Sequence, residues 1–148
     1  MGVEIVGLED VLQRLDQLPG LIVAHAFAEA LDRAGGVIAA EVEVRIPEGE
    51  TEGLLEHIVV NVEIDPSLRG GSVAVGFSHA QAENGRPYDA IADWVERGHI
   101  MLSHDKKPTK LEHVPRHPFM APAFDASAQK AIEVFTQTIL DYLDSQGA

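Results

Sequence analysis

The chain has 148 residues, 45% of them hydrophobic, enough for one domain that buries about two-thirds of the surface its unfolded chain would expose. It contains no cysteine, which removes disulfides, thiolate metal sites and cysteine nucleophiles and leaves packing as the source of stability. Its 24 acidic and 11 basic side chains give a net charge of −13, which argues against wrapping nucleic acid, because phosphate binding relies on Lys and Arg.

The opening MGVEIVGLED alternates Val3 and Ile5 with Glu4 and Val6 as a short strand would, and it lacks the basic region of a secretory leader. Val6 stands where a myristoylation signal needs Ser or Thr, and no apolar run approaches the roughly 20 residues that span a bilayer. Synthesis in the cytoplasm, away from membranes, is therefore expected. Leu8, Val11, Leu12, Leu15 and Leu18 recur at helical spacing, and Pro19-Gly20 stops that helix. A long helix is predicted over 21–46, with Val23, Phe27, Ala30, Ala34, Ile38 and Val42 on its apolar face; Gly35-Gly36 in its middle predicts a kink or a close crossing.

After a turn-rich loop, Ile58, Val60, Val62 and Ile64 alternate with Val59, Asn61 and Glu63, and a second strand over 72–77 completes an antiparallel hairpin spanning 57–77. A short helix over 87–97 carries Tyr88, Ile91, Trp94 and Val95 as its apolar stripe and ends at Gly98. The 99–117 segment loses periodicity and reads as an exposed loop, with Lys106, Lys107, Lys110 and Arg116 reversing the global charge. A C-terminal amphipathic helix over 122–145 follows, carrying Phe124, Ala128, Ala131, Ile132, Phe135, Ile139, Tyr142 and Leu143. The expected fold is a single α+β domain over 1–148: a small, mainly antiparallel sheet packed against the long N-terminal helix and the C-terminal helix.

Three groups of residues raise the question of chemistry. His99, His104, His113 and His117 have one His-x3-His spacing, but Pro115 disfavours the helix that would aim both rings at one metal. Asp89, Asp93 and Glu96 share one face of the short helix, a pattern open to acid/base work or a divalent cation and equally to a solvated polar face. No nucleophile motif, phosphate-cradling loop or dinucleotide fingerprint occurs, so no catalytic residue, cofactor or metal ligand is assigned. In the third group, Pro118-Phe-Met-Ala-Pro-Ala-Phe124, Pro118 and Pro122 stiffen the backbone around Phe119 and Met120. Such stiffened aromatics serve either as core plugs that staple the loop to the final helix or as a knob for a neighbouring subunit.

Tyr88-Asp-Ala-Ile-Ala-Asp-Trp-Val-Glu-Arg-Gly98 followed by Pro118-Phe-Met-Ala-Pro-Ala-Phe124 resembles the pattern of a siphophage family of head–tail joining, or tail-component, proteins. In that family a Tyr-Ala-x-x-Val-Glu-x-Gly run precedes a Pro-Phe-x-x-Pro-Ala-Phe run. The start Gly7-Leu-Glu-Asp-Val-Leu12, the long helix, and Arg45-Ile-Pro47 with Thr51 to Leu54 also fall in the family's order. Departures are Glu52 between Thr51 and Gly53, His99 where Thr or Ser is frequent, and the length of the 99–117 segment.

The resemblance implies a non-enzymatic, cofactor-free virion protein of the neck. Such a protein forms or joins a ring between the head-closure connector and the tail terminator and surrounds passing DNA without reading its sequence. Tyr88, Trp94, Glu96, Gly98, Pro118, Phe119, Met120, Pro122 and Phe124 are then the subunit-interface candidates, with Phe119 as knob and Trp94 and Tyr88 as socket. Lys106, Lys107, Lys110 and Arg116 are the candidates for contact with a partner protein or DNA. Alternatives from other classes are a metal-dependent hydrolase built on the His/carboxylate cluster and a cytoplasmic adaptor binding peptides along the edge of the hairpin.

Overall fold

The computed structural model describes residues 8–47, 53–67, 70–83, 85–102 and 111–146. In chain order these form α1 (Leu8–Asp16), α2 (Gly20–Arg45), a 3₁₀ turn (Leu55–His57), β1 (Ile58–Ile64), β2 (Gly71–Phe77), α3 (Tyr88–Arg97), β3 (His99–Leu102), β4 (Leu111–Val114) and α4 (Met120–Ser145). The α+β expectation holds: β1 and β2 form a two-stranded antiparallel sheet packed on α2, and α4 packs along α2. The N-terminal strand expected over Val3–Val6 lies outside the described residues.

The two 26-residue helices α2 and α4 run antiparallel. Val23, Ala26 and Ala30 from the first half of α2 share one core cluster with Ile139 and Leu143 near the end of α4 and with Val11 and Leu15 of α1. Val42 at the end of α2 shares a second cluster with Leu54, Ala92, Phe119 and Ala123, at the start of α4. Each cluster buries the apolar stripe that the 3.6-residue period lays down on its helix. Arg14 of α1 reaches Asp144 of α4 at 2.9 Å, an exposed link that adds little beside the buried apolar surface beneath it.

The glycine pair in α2 does not break the helix, and one member of it, Gly35, lets the sheet approach. A Cβ on Gly35 would stand 2.5 Å from Val60 Cγ1 and 2.7 Å from Val73 Cγ2, whereas one on Gly36 would meet nothing within 4 Å. The same substitution at these adjacent positions should therefore have opposite effects. Gly36→Ala stabilises by up to about 1 kcal/mol through helix propensity, while Gly35→Ala loses about 1–3 kcal/mol to overpacking of the two valines. Urea unfolding midpoints of the two variants check this, and equal midpoints would remove the close crossing as the reason for glycine at 35.

Two boundaries differ from expectation. The 99–117 segment is not wholly a loop, because its arms pair as β3 and β4 in the register Ile100↔His113 and Leu102↔Leu111. Four-residue strands are too short to show a period above background, which is why alternation gave no signal there. The C-terminal helix begins at Met120 rather than at Pro122. Pro122 is the third helical residue, where a missing N–H removes nothing, since first-turn donors have no acceptor within the helix.

Candidate functional site

The two runs that carry the family resemblance meet in the structure. Glu96, near the end of α3, accepts hydrogen bonds on Oε2 from the backbone N–H of Phe119 at 2.7 Å and of Met120 at 2.9 Å, and on Oε1 from that of Ala121 at 3.3 Å. Phe119 is the residue preceding the helix and its own side chain offers no acceptor, so the cap comes from another element. With Pro122 lacking a donor and the Ala123 N–H bonded to Phe119 O, every N–H at the start of α4 is accounted for. The carboxylate also sits where the positive end of the helix dipole favours it. The preceding residues are tied to α3 as well, because the His117 N–H donates to Val95 O at 2.8 Å.

This arrangement corrects the assignment of Phe119 as a knob. Its side chain is fully buried in its own protomer, edge-on to Phe77 with ring centroids 5.9 Å apart. The plug alternative wins because the Glu96 cap ties the backbone at Phe119 to α3 and the second core cluster supplies an apolar seat. Tyr88 is likewise engaged internally: its ring stacks on His57 at 3.8 Å, and its hydroxyl lies 3.0 Å from where a Cβ on Gly53 would stand. Gly98 closes α3 with φ 75° and ψ 164°, a conformation that favours glycine and explains that position without a neighbour. Trp94 is half-buried and has the Arg86 guanidinium 5.0 Å from its ring centre. Met120 and Pro122 are half-buried, with Met120 packed on the second cluster, and Pro118 is exposed.

Of the aromatic interface candidates, Phe124 is the one that stays largely outside, 56% exposed. It borders an apolar groove of about 270 Å³ between α2, β2 and α4, lined also by Leu31, Ile38, Val73, Ile132 and Phe135. A second hollow of about 500 Å³ between α2 and α4 is lined by Arg33, Glu41, Ser127 and Lys130 among others. There Arg33 pairs with Glu29 and Glu41 with Arg45, each within one helix, and Ser127 donates to Ala123 O. Nothing in the sequence marked Val73 as a neighbour of Phe124; only the packing of the sheet on α2 joins them.

The three carboxylates of α3 do not converge. Asp89 faces His79, Asp93 pairs with Arg97 at 2.8 Å, and Glu96 caps α4. Among the described residues no group of three or more His, Asp or Glu side chains is placed to hold a metal ion. His117 is exposed, and Arg116, exposed as well, is the described member of the basic set; Lys106, Lys107, Lys110 and His104 lie outside the described residues. A serine–histidine contact that the sequence did not suggest, His57 Nδ1 to Ser78 Oγ at 3.0 Å, continues the β1–β2 pairing by one residue, as the Ser78 N–H bond to His57 O shows.

The hydrogen bond from His79, 2.9 Å away, is the main reason the Asp89 carboxyl titrates below the ordinary aspartate value, helped by the Ala90 N–H. Its stabilising contribution is present above the ordinary aspartate pKa and is lost as pH falls through the lowered one. His79→Ala should raise the Asp89 pKa towards the ordinary value in a carboxyl-carbon NMR titration. Because the pair is exposed, the urea midpoint at neutral pH should barely move. An unchanged Asp89 titration would contradict this geometry.

No family model matches the chain, and no curated protein and no solved structure shows significant similarity to it. Among the described residues no helix is long and apolar enough to cross a membrane.

Proposed function

We propose that this chain is a structural component of a siphophage neck, a tail-completion or head–tail joining protein. It forms or joins a ring between the head-closure connector and the tail terminator, in the virion, after synthesis in the host cytoplasm. The observation that carries the reading is the junction of Glu96 with Phe119, Met120 and Ala121: the two runs that resemble the family form one structural unit. That unit fixes where α4 begins and leaves Phe124, five residues beyond the cap, on the outside over an open apolar groove. An apolar surface of this kind suits association. The net charge of −13 suits a passage through which DNA slides, because an acidic wall repels phosphate and a basic one would hold it. The role asks for no cofactor and no reacting group.

The test is genetic and biochemical together. Deleting the gene from the phage that carries it should leave filled heads and finished tails unjoined, and adding the purified protein to the mixed lysate should restore plaque-forming particles. Joined, infectious particles without the protein would remove the proposal. Negative-stain images of the protein alone, or of the protein with the connector, should show rings.

A further inference from the structure

The β1–β2 ladder has a direction that the register reveals. His57 and Ser78, and likewise Asp65 and Gly70, are joined by backbone hydrogen bonds, so the bonded pairs between them are 59/76, 61/74 and 63/72. Val73 and Val75 therefore turn their N–H and C=O groups away from β1, and in this two-stranded sheet no described strand receives them. β2 is also the strand nearer α4: Val73 lines the groove beneath Phe124, and Phe77 touches Phe119. Among the described residues, then, the outer edge of β2 has no strand beside it and runs along an apolar crease, the arrangement that accepts an added strand, with main-chain bonds to the edge and alternate side chains in the pocket.

The chain contains a matching strand donor. β3 and β4 pair with each other, and among the described residues no other helix or strand makes more than slight backbone contact with them. A ladder of two four-residue strands is marginal in water unless something covers it. Charge favours the body of another copy as the cover. The 99–117 segment holds four of the 11 basic side chains and two of the 24 acidic ones, a net of +2 that leaves −15 on the remainder. Asp32 and Asp125, both exposed, directly follow the groove residues Leu31 and Phe124.

We propose that the crease between β2 and α4 is the docking site for a second copy of this chain, whose β3–β4 ladder adds to the free edge of β2 and closes the groove under Phe124. The contact is heterologous, donor to acceptor, so its repetition gives a ring or a filament instead of a closed dimer. It deepens the neck reading and rests on it for its biological meaning.

The absence of cysteine makes the test clean. Adjacent strands bring Cα atoms within disulfide range, so Ala74→Cys combined with Met101→Cys or with Glu112→Cys should, on oxidation of the full-length protein, give a ladder of trimers and larger species. Each single variant should stop at dimer or below. In sedimentation velocity, Phe124→Glu should weaken self-association at least about tenfold, with the circular dichroism spectrum unchanged because the ring is exposed. Self-association that survives Phe124→Glu, with no ladder from either double variant, overturns this contact while leaving a ring built another way. A chain that neither self-associates nor crosslinks at any concentration overturns it too, and the neck role then stands or falls on the deletion experiment alone.

Discussion

Replacing Phe119 with alanine should destabilise the protein by about 3–5 kcal/mol, the usual range for emptying a buried aromatic site. Its side chain is fully buried between β2 and the start of α4, edge-on to Phe77, in the cluster that also holds Leu54, Val42 and Ala123. The loss is a large part of the roughly 5–15 kcal/mol that a domain of this size possesses, so the variant should be partly unfolded at physiological temperature. Phe119→Leu, which keeps most of the apolar volume, should recover over half of the difference in urea midpoint. Were Phe119 a contact between copies, alanine would lower self-association at unchanged monomer stability. A two-state urea melt at a concentration where the chain is monomeric separates these outcomes.

Removing the Glu96 carboxylate should have the next largest effect, about 2–3 kcal/mol for Glu96→Ala. The range follows from adding the worth of a helix cap to the cost of half-buried donors left without an acceptor. Three N–H groups depend on this one side chain, two of them at 2.7 and 2.9 Å. Glu96→Gln keeps one acceptor oxygen but loses the charge that complements the helix N-terminus, so it should fall between wild type and alanine. Amide exchange at Met120 and Ala121 gives the local reading. Faster exchange there, with β1 and β2 protected as before, is the expected result, and unchanged exchange in Glu96→Ala would mean that the cap is not what begins α4.

The two variants also bear on how the family resemblance should be understood. A glutamate and a phenylalanine at positions 96 and 119 look like surface determinants in the sequence, and the resemblance implies a subunit interface for both. In the structure they are spent on joining α3 to α4 within one protomer, which accounts for both runs without a neighbour. The proposed association surface lies instead beyond the cap, at Phe124 and the crease beside β2.

Much of this architecture was legible in the residues alone. The apolar period from Val23 to Val42 predicted α2 to within a residue at each end, the alternation from Ile58 to Ile64 predicted β1, and Pro87 with Gly98 bracketed α3, because helical period, strand period and the backbone limits of Pro and Gly are properties of a few neighbouring residues. Which side chains would be buried was another matter. Glu96 meets Phe119 across 23 positions and Gly35 meets Val60 across 25, and neither contact leaves a mark on the local pattern. Phe119 and Phe124, five residues apart in one proline-bracketed run, look equivalent in sequence, yet one is sealed in the core and the other is half exposed. That difference is set by the angle at which α4 leaves its cap and by the sheet lying on α2, and only the assembled layers determine either.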